Sequence, residues 1–244
     1  ICDCQGNGKV EFNNTGSRSP AITFATSVDN TNELNLYGGR IIGNSAYTIN
    51  LGTASSSNCK ITFRMYDGEV KNTKISSTSA AVHAQNTNAF AKSTIEIYGG
   101  TITCEKGYGI DASSDDKTQI LIAGGTIQGG DHALHLLGNL TLSGSPQIQC
   151  IGDDDDAAID ITTTSYVKTE QDYVIVKDDF MQAPETTISV SKLVSNGVPV
   201  LIAKPEVNTS SLDDKVQYFI SAEDNHFVEI GSNGLYLNAC AITG

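Results

Sequence analysis

A chain of 244 residues with a formal net charge of −13, 18% charged residues, no tryptophan and 23 glycines is long enough for one sizeable domain. Its three arginines, Arg18, Arg40 and Arg64, provide no basic face for neutralising phosphates, so nucleic acid is excluded as a partner. No stretch approaches the roughly 18 apolar residues of a membrane span. Position 1 is Ile1 rather than an initiator Met, which is read as the mark of a removed N-terminal segment, where a signal peptide would lie.

From the N-terminus onward one pattern recurs: apolar-x-apolar-x-Gly-Gly-x-apolar, followed by small-apolar-polar-apolar. A weak leading copy spans Val10–Phe12 and Ala21–Phe24. Fuller copies follow as Leu34–Ile41 with Thr48–Leu51, Phe63–Val70 with Ala81–Ala84, Ile95–Ile102 with Gly109–Ala112, and Ile120–Ile127 with Ala133–Leu136. A looser copy, Leu140–Ile148 with Ala158–Ile161, closes the series. Repeats of this length cannot bury an apolar face alone and therefore stack into a solenoid.

Each copy reads as three short strands with period-2 alternation. Pairs such as Phe63/Met65 and Ile95/Ile97 point inward from the first strand, Val70, Ile102 and Ile127 from the second, and Val82/Ala84 and Leu134/Leu136 from the third. The Gly-Gly pair marks a sharp corner, where positive φ costs glycine little. The expected fold is all-β: a right-handed single-stranded parallel β-helix with three strands per coil, its handedness taken from the rule for parallel crossovers.

Residues 1–165 hold these coils. Residues 166–244 read as further strands, near Tyr173–Val176, Ile188–Val190, Val198–Ile202, Tyr218–Ile220, Phe227–Ile230 and Leu235–Leu237. Asn196-Gly197 and Asn233-Gly234 signal hairpin turns. This segment is expected to form irregular coils or an antiparallel β cap continuous with the solenoid, because an open sheet edge recruits other chains.

The six cysteines do not read as a disulfide framework. Cys104 and Cys150 share one repeat position two coils apart, about 9–10 Å at one strand spacing per coil, beyond disulfide reach. They are read as core thiols, with Cys59 and Cys240 alike. Cys2 and Cys4 could pair, carry a lipid or be inert.

The third strand presents one polar column outward: Thr23, Asn50, His83, Asp111, His135 and Asp160, in steps of 27, 33, 28, 24 and 25 residues. Stacking sets neighbours about 4.8 Å apart, so imidazole and carboxylate alternate. Such a column can bind a divalent metal or sugar hydroxyls, run acid–base chemistry, or form a solvated ladder of paired side chains. Asn50, His83, Asp111, His135 and Asp160 are the candidate binding residues. The run Asp153-Asp154-Asp155-Asp156 supplies hard oxygen ligands suited to calcium, although without EF-hand spacing, and reads equally as a solvated acidic loop. Arg64 and Glu96 face outward on adjacent first strands as a surface ion pair. Tyr37, Tyr66 and Tyr98 form a column just before the glycine corner, bracing it or stacking a ligand.

The segments Ile95-Glu-Ile-Tyr-Gly-Gly-Thr-Ile and Ile120-Leu-Ile-Ala-Gly-Gly-Thr-Ile resemble the "GGTI" coils of right-handed β-helix proteins common on the surfaces and in the secretions of gut and other anaerobic bacteria. The resemblance covers roughly residues 10–165. It implies a family that includes pectate-lyase-like enzymes, pectin-type hydrolases and esterases, adhesins, and non-catalytic carbohydrate-binding β-helices that use calcium. Ile151-Gly-Asp-Asp-Asp-Asp-Ala-Ala-Ile is similar to the paired-aspartate motif of polygalacturonases, but the Asn-Thr-Asp, Gly-His-Gly and Arg-Ile-Lys partner motifs occur at no matching position. A lone acid cannot perform inverting hydrolysis.

The expectation is an exported, secreted or cell-surface, monomeric and non-catalytic β-helix. It binds a polysaccharide or cell-surface glycan, or mediates adhesion, with calcium as the cofactor the acidic run suggests. The alternative is a calcium-dependent polysaccharide lyase or glycoside hydrolase of the pectin-degrading type. That alternative requires a base beside the acids.

Overall fold

The computed structural model describes residues 8–12, 20–24, 31–52, 59–85, 92–113, 117–137, 139–152, 156–161, 172–183, 186–193, 198–208 and 210–239. Strands close into a parallel β-solenoid whose coils each contribute one strand to three sheets. Sheet 1 begins with Thr31–Leu36, Lys60–Met65, Lys92–Ile97, Gln119–Ile122 and Leu140–Leu142. Sheet 2 is built from Lys9–Phe12, Arg40–Gly43, Glu69–Asn72, Thr101–Cys104, Thr126–Gly129 and Gln147–Cys150. Sheet 3 runs through Ile22–Thr23, Tyr47–Leu51, Ala80–Ala84, Tyr108–Ala112, Leu134–Leu136 and Ile159–Ile161, and continues into Ile188–Lys192 and Phe219–Ser221.

The register stacks like on like. Ile41, Val70, Ile102, Ile127 and Ile148 align down sheet 2, and Leu36, Met65, Ile97, Ile122 and Leu142 down sheet 1. All ten side chains are buried in one continuous core that reaches Leu235 and Leu237. Backbone groups are satisfied between coils, so the interior needs no polar lining there.

At the corner between sheets 1 and 2 the two glycines do different work. Gly39, Gly100 and Gly125 adopt φ near +80°, where a Cβ is strained. Gly99 and Gly124 instead sit against the coil above, where a Cβ would lie 2.4 Å from the Tyr66 carbonyl oxygen and 2.5 Å from that of Tyr98. The corner between sheets 2 and 3 is held from within. Asn72, fully buried, donates from Nδ2 to the carbonyls of Ser45 (3.1 Å) and Ala80 (2.7 Å), and its Oδ1 accepts from the Lys74 amide (2.9 Å). One coil on, Cys104 occupies the same register position, its Sγ 3.3 Å from the Ser79 hydroxyl.

Both C-terminal expectations are realised together. Among the described residues sheet 2 ends at Gln147–Cys150, while sheets 1 and 3 run on through Val174–Val176, Ile188–Lys192, Val200–Pro205 and Phe219–Ser221. Gly234–Ala239 then pairs antiparallel with Val200–Pro205, and His226–Gly231 pairs antiparallel with Gly234–Ala239. The hairpin loop is Ser232-Asn233, one residue earlier than the Asn-Gly signal suggests, because Gly231 pairs with Gly234. Gly234 is required inside the strand, since a Cβ there would meet the Ala203 carbonyl oxygen at 2.1 Å. Asn196-Gly197, Cys2, Cys4 and Cys240 lie outside the described residues.

Where sheet 2 stops, the interior changes character. Cys150 is half-buried rather than a core thiol like Cys104, because among the described residues no strand of sheet 2 follows it; its Sγ donates to the Asp131 carbonyl at 3.0 Å. Lys192 follows Ile161 at an inward register position and is buried, with Nζ donating to the carbonyls of Asp172 and of Leu201 (2.9 Å) and pairing with the Asp172 carboxylate (3.1 Å). Burial lowers its ammonium pKa, and the bond and charge of Asp172 offset part of that shift.

Candidate functional site

The outward polar column of sheet 3 forms in the expected register: Thr23 beside Asn50, Asn50 beside His83, His83 beside Asp111, Asp111 beside His135, and His135 beside Asp160. From Asn50 to Asp160 its side chains approach one another end to end. His83 Nδ1 lies 3.1 Å from Asn50 Oδ1, and its Nε2 lies 3.7 Å from Asp111 Oδ2. His135 bridges two carboxylates, with Nδ1 3.2 Å from Asp111 Oδ1 and Nε2 3.4 Å from Asp160 Oδ2. Ser191, one coil further, donates to Asp160 Oδ1 at 2.7 Å. Asp111 Oδ1 also accepts from the amide and hydroxyl of Ser113 at 3.1 and 2.8 Å.

Burial alone would raise the Asp111 carboxyl pKa, yet the hydrogen bond from His135, the charge of His83 and the Ser113 hydroxyl outweigh it and hold the group below the ordinary carboxylate value. Two tyrosines lie over the imidazoles. Tyr47 stacks on His83 with ring centroids 3.7 Å apart, and Tyr108 on His135 at 4.4 Å. Burial pushes the Tyr108 phenol up, and Asp131 and Asp111 add to the shift, so this ring stays neutral over a wide pH range. The sequence holds a usable signal for these residues: Tyr47, Ala80 and Tyr108 share one register position, each three residues before a column member. Ser191 follows from extending the column by one coil.

In chemical terms the column is closed. Each imidazole and carboxylate has its partner in an adjacent coil, and His83 and Asp111 are buried. No group of three or more His, Cys, Asp or Glu among the described residues is arranged to hold a metal ion. Asp153, Asp154 and Asp155 lie outside the described residues, while Asp156 is half-buried beside Gly152 and Ser189.

Sheet 1 carries a second, open surface. Arg64 lies between Glu96, bonded from Nε, and Glu33 at 3.3 Å. The Glu96 carboxylate bond and charge raise the already high guanidinium pKa further. Beyond Glu96 the outward column falls to Leu121 and Thr141. The smaller side chains leave a shallow depression bordered by Thr94, Glu96, Gln119, Leu121, Thr141 and the Lys177–Glu206 ion pair (3.0 Å).

The tyrosine column stands along the neighbouring corner. Tyr37 and Tyr66 stack with centroids 4.8 Å apart and planes 3° from parallel, and Tyr66 and Tyr98 at 5.2 Å and 11°. The three residues remain 53%, 40% and 42% exposed. Their mutual stacking covers the inner ring faces, so the ladder presents edges and hydroxyls outward rather than a row of free faces for sugar rings.

No protein-family model, curated protein or solved structure matches this chain.

Proposed function

We propose that the chain is a non-catalytic, glycan-binding surface module of an exported bacterial protein, and that the glycan lies on the open face of sheet 1 rather than on the His–Asp column. The observation that carries this reading is the depression around Leu121. It sets an apolar floor among hydrogen-bonding groups of both kinds: the carboxylate of Glu96, the amide of Gln119, the hydroxyls of Thr94 and Thr141, and the Lys177 ammonium. A sugar ring offers the complement, an apolar C–H face edged by hydroxyls. The strands beneath are fixed by parallel pairing on both sides, so these groups are held in position before a ligand arrives. The column supports the non-catalytic part of the reading, because its acids and bases are engaged with one another and its imidazoles are stacked under Tyr47 and Tyr108.

Affinity electrophoresis through gels containing neutral or acidic polysaccharides tests the reading: retardation by at least one glycan without a fall in polymer viscosity supports it. Chain scission, or no retardation by any glycan in the panel, counts against it. Calcium enters the reading only through Asp153–Asp156. A thermal shift with calcium that deepens when an acidic glycan is added supports a cation-bridged contact, and the absence of any calcium shift removes the cation from the account.

A further inference from the structure

The tyrosine ladder has a geometry that neither its bracing role nor the glycan reading uses. Within it, Tyr66 stacks on both neighbours, on Tyr37 at 4.8 Å and on Tyr98 at 5.2 Å. Among the described residues the other tyrosines are engaged differently: Tyr47 and Tyr108 with histidines, Tyr173 beneath the Lys204 ammonium, Tyr218 edge-on to Phe180, and Tyr236 with the Asn233 side chain. The ladder is therefore where two phenols of one chain lie in parallel contact and are also open to a reagent, each being at least 40% exposed.

A phenol that loses one electron and its hydroxyl proton becomes a phenoxyl radical with spin density on the ring carbons ortho to oxygen. Two such radicals held side by side join through those carbons. Each then loses its ortho C–H proton and regains the phenol, giving a biaryl bond. For a peroxidase-type oxidant the sum is two tyrosines plus one hydrogen peroxide giving one dityrosine and two waters. Parallel pairing of adjacent coils keeps the two side chains in register at every stage, so their encounter is intramolecular and favoured at high dilution. Because the rings project from a corner into solvent, they can turn from face-to-face to edge-to-edge contact without disturbing the core.

We propose that Tyr66 is the hub of an oxidative cross-linking site. One-electron oxidation couples it to Tyr37 or to Tyr98 and staples two adjacent coils together. Since Tyr66 belongs to both contacts, each link formed within the ladder includes it.

The test is treatment of the dilute full chain with a haem peroxidase and hydrogen peroxide, followed by dityrosine fluorescence, intact mass and peptide mapping. The expected product is a monomer lighter by two hydrogen atoms, with the Tyr66 peptide joined to the Tyr37 or the Tyr98 peptide. Tyr66→Phe, which keeps the stacked ring, should abolish this intrachain link. Tyr37→Phe and Tyr98→Phe should each retain it with the remaining neighbour. An undiminished intrachain link in Tyr66→Phe would overturn the proposal, as would links found only between chains or only among the other tyrosines.

Discussion

The carboxylate of Asp111 lies 3.2 Å from Nδ1 of His135 on the adjacent coil of the solenoid, and the other nitrogen of the same ring lies 3.4 Å from Asp160. One imidazole thus separates two acids that strand spacing alone would set on either side of it. The arrangement explains how an acidic chain tolerates carboxylates stacked on a half-buried face, and it makes the column a structural element with measurable consequences.

His135→Ala removes one partner from each of Asp111 and Asp160, while Asp111 keeps the Ser113 bonds and Asp160 keeps that of Ser191. The expected cost is about 1–3 kcal/mol, the usual worth of hydrogen bonds made to a charged group. Chemical denaturation reads it directly as a lower midpoint at unchanged slope. Stability equal to the parent chain would mean that the column is solvated rather than paired.

The Asp111 carboxyl is held below its ordinary value of 3.8 in the folded chain. A depressed folded pKa contributes stability that is present above the unfolded value and is lost as pH falls through the folded one. Asp111→Asn should therefore be less stable than the parent at neutral pH, and the gap should narrow as pH drops below about 4. Unfolding free energies of both chains across an acid series check this. A gap that widens toward low pH would contradict it.

Buried aliphatic positions test the coil register. Ile110 stacks between Val82 and Leu134, and Ile127 between Ile102 and Ile148; both isoleucines are fully buried. Replacing either by Ala should cost roughly 2–5 kcal/mol, and a cost under about 0.5 kcal/mol would place these side chains at the surface.

Asn72→Ala removes three hydrogen bonds at the corner between sheets 2 and 3, leaving the carbonyls of Ser45 and Ala80 and the Lys74 amide to find other partners. A loss of about 1–3 kcal/mol is expected, since a stranded buried group costs its desolvation. Cooperative unfolding with no loss of stability would show that water replaces the side chain.

Much of this molecule is legible in its residues because a solenoid repeats one local problem. Alternation fixes which side chains face in, and the repeat aligns them, so Ile41 through Ile148 and Asn50 through Asp160 fall into register without knowledge of the whole. Departures occur where the repeat itself fails. Cys150 matches Cys104 in sequence position but is half-buried, because among the described residues its sheet has no following strand. Lys192 occupies an inward position, which strand alternation alone does not allow for a charged residue, because two carbonyls and a carboxylate converge there from other segments. The hairpin loop moves one residue from its Asn-Gly signal because pairing across Gly231 and Gly234 fixes the register. On sheet 1 the outward order Arg64, Glu96, Leu121, Thr141 is legible from alternation, but the Lys177–Glu206 pair that borders the depression comes from segments beyond the repeat.

The most direct test of the glycan reading is a calorimetric titration of the best-retained polysaccharide into three chains: the parent, Leu121→Arg and His135→Ala. Leu121→Arg fills the depression on sheet 1 with a charge at a partly exposed site and should leave the melting temperature nearly unchanged, whereas His135→Ala disturbs sheet 3. The account predicts that Leu121→Arg abolishes binding while His135→Ala, assayed below its melting transition, retains it. Binding that survives Leu121→Arg and vanishes with His135→Ala would contradict the account and return the ligand to the His–Asp column.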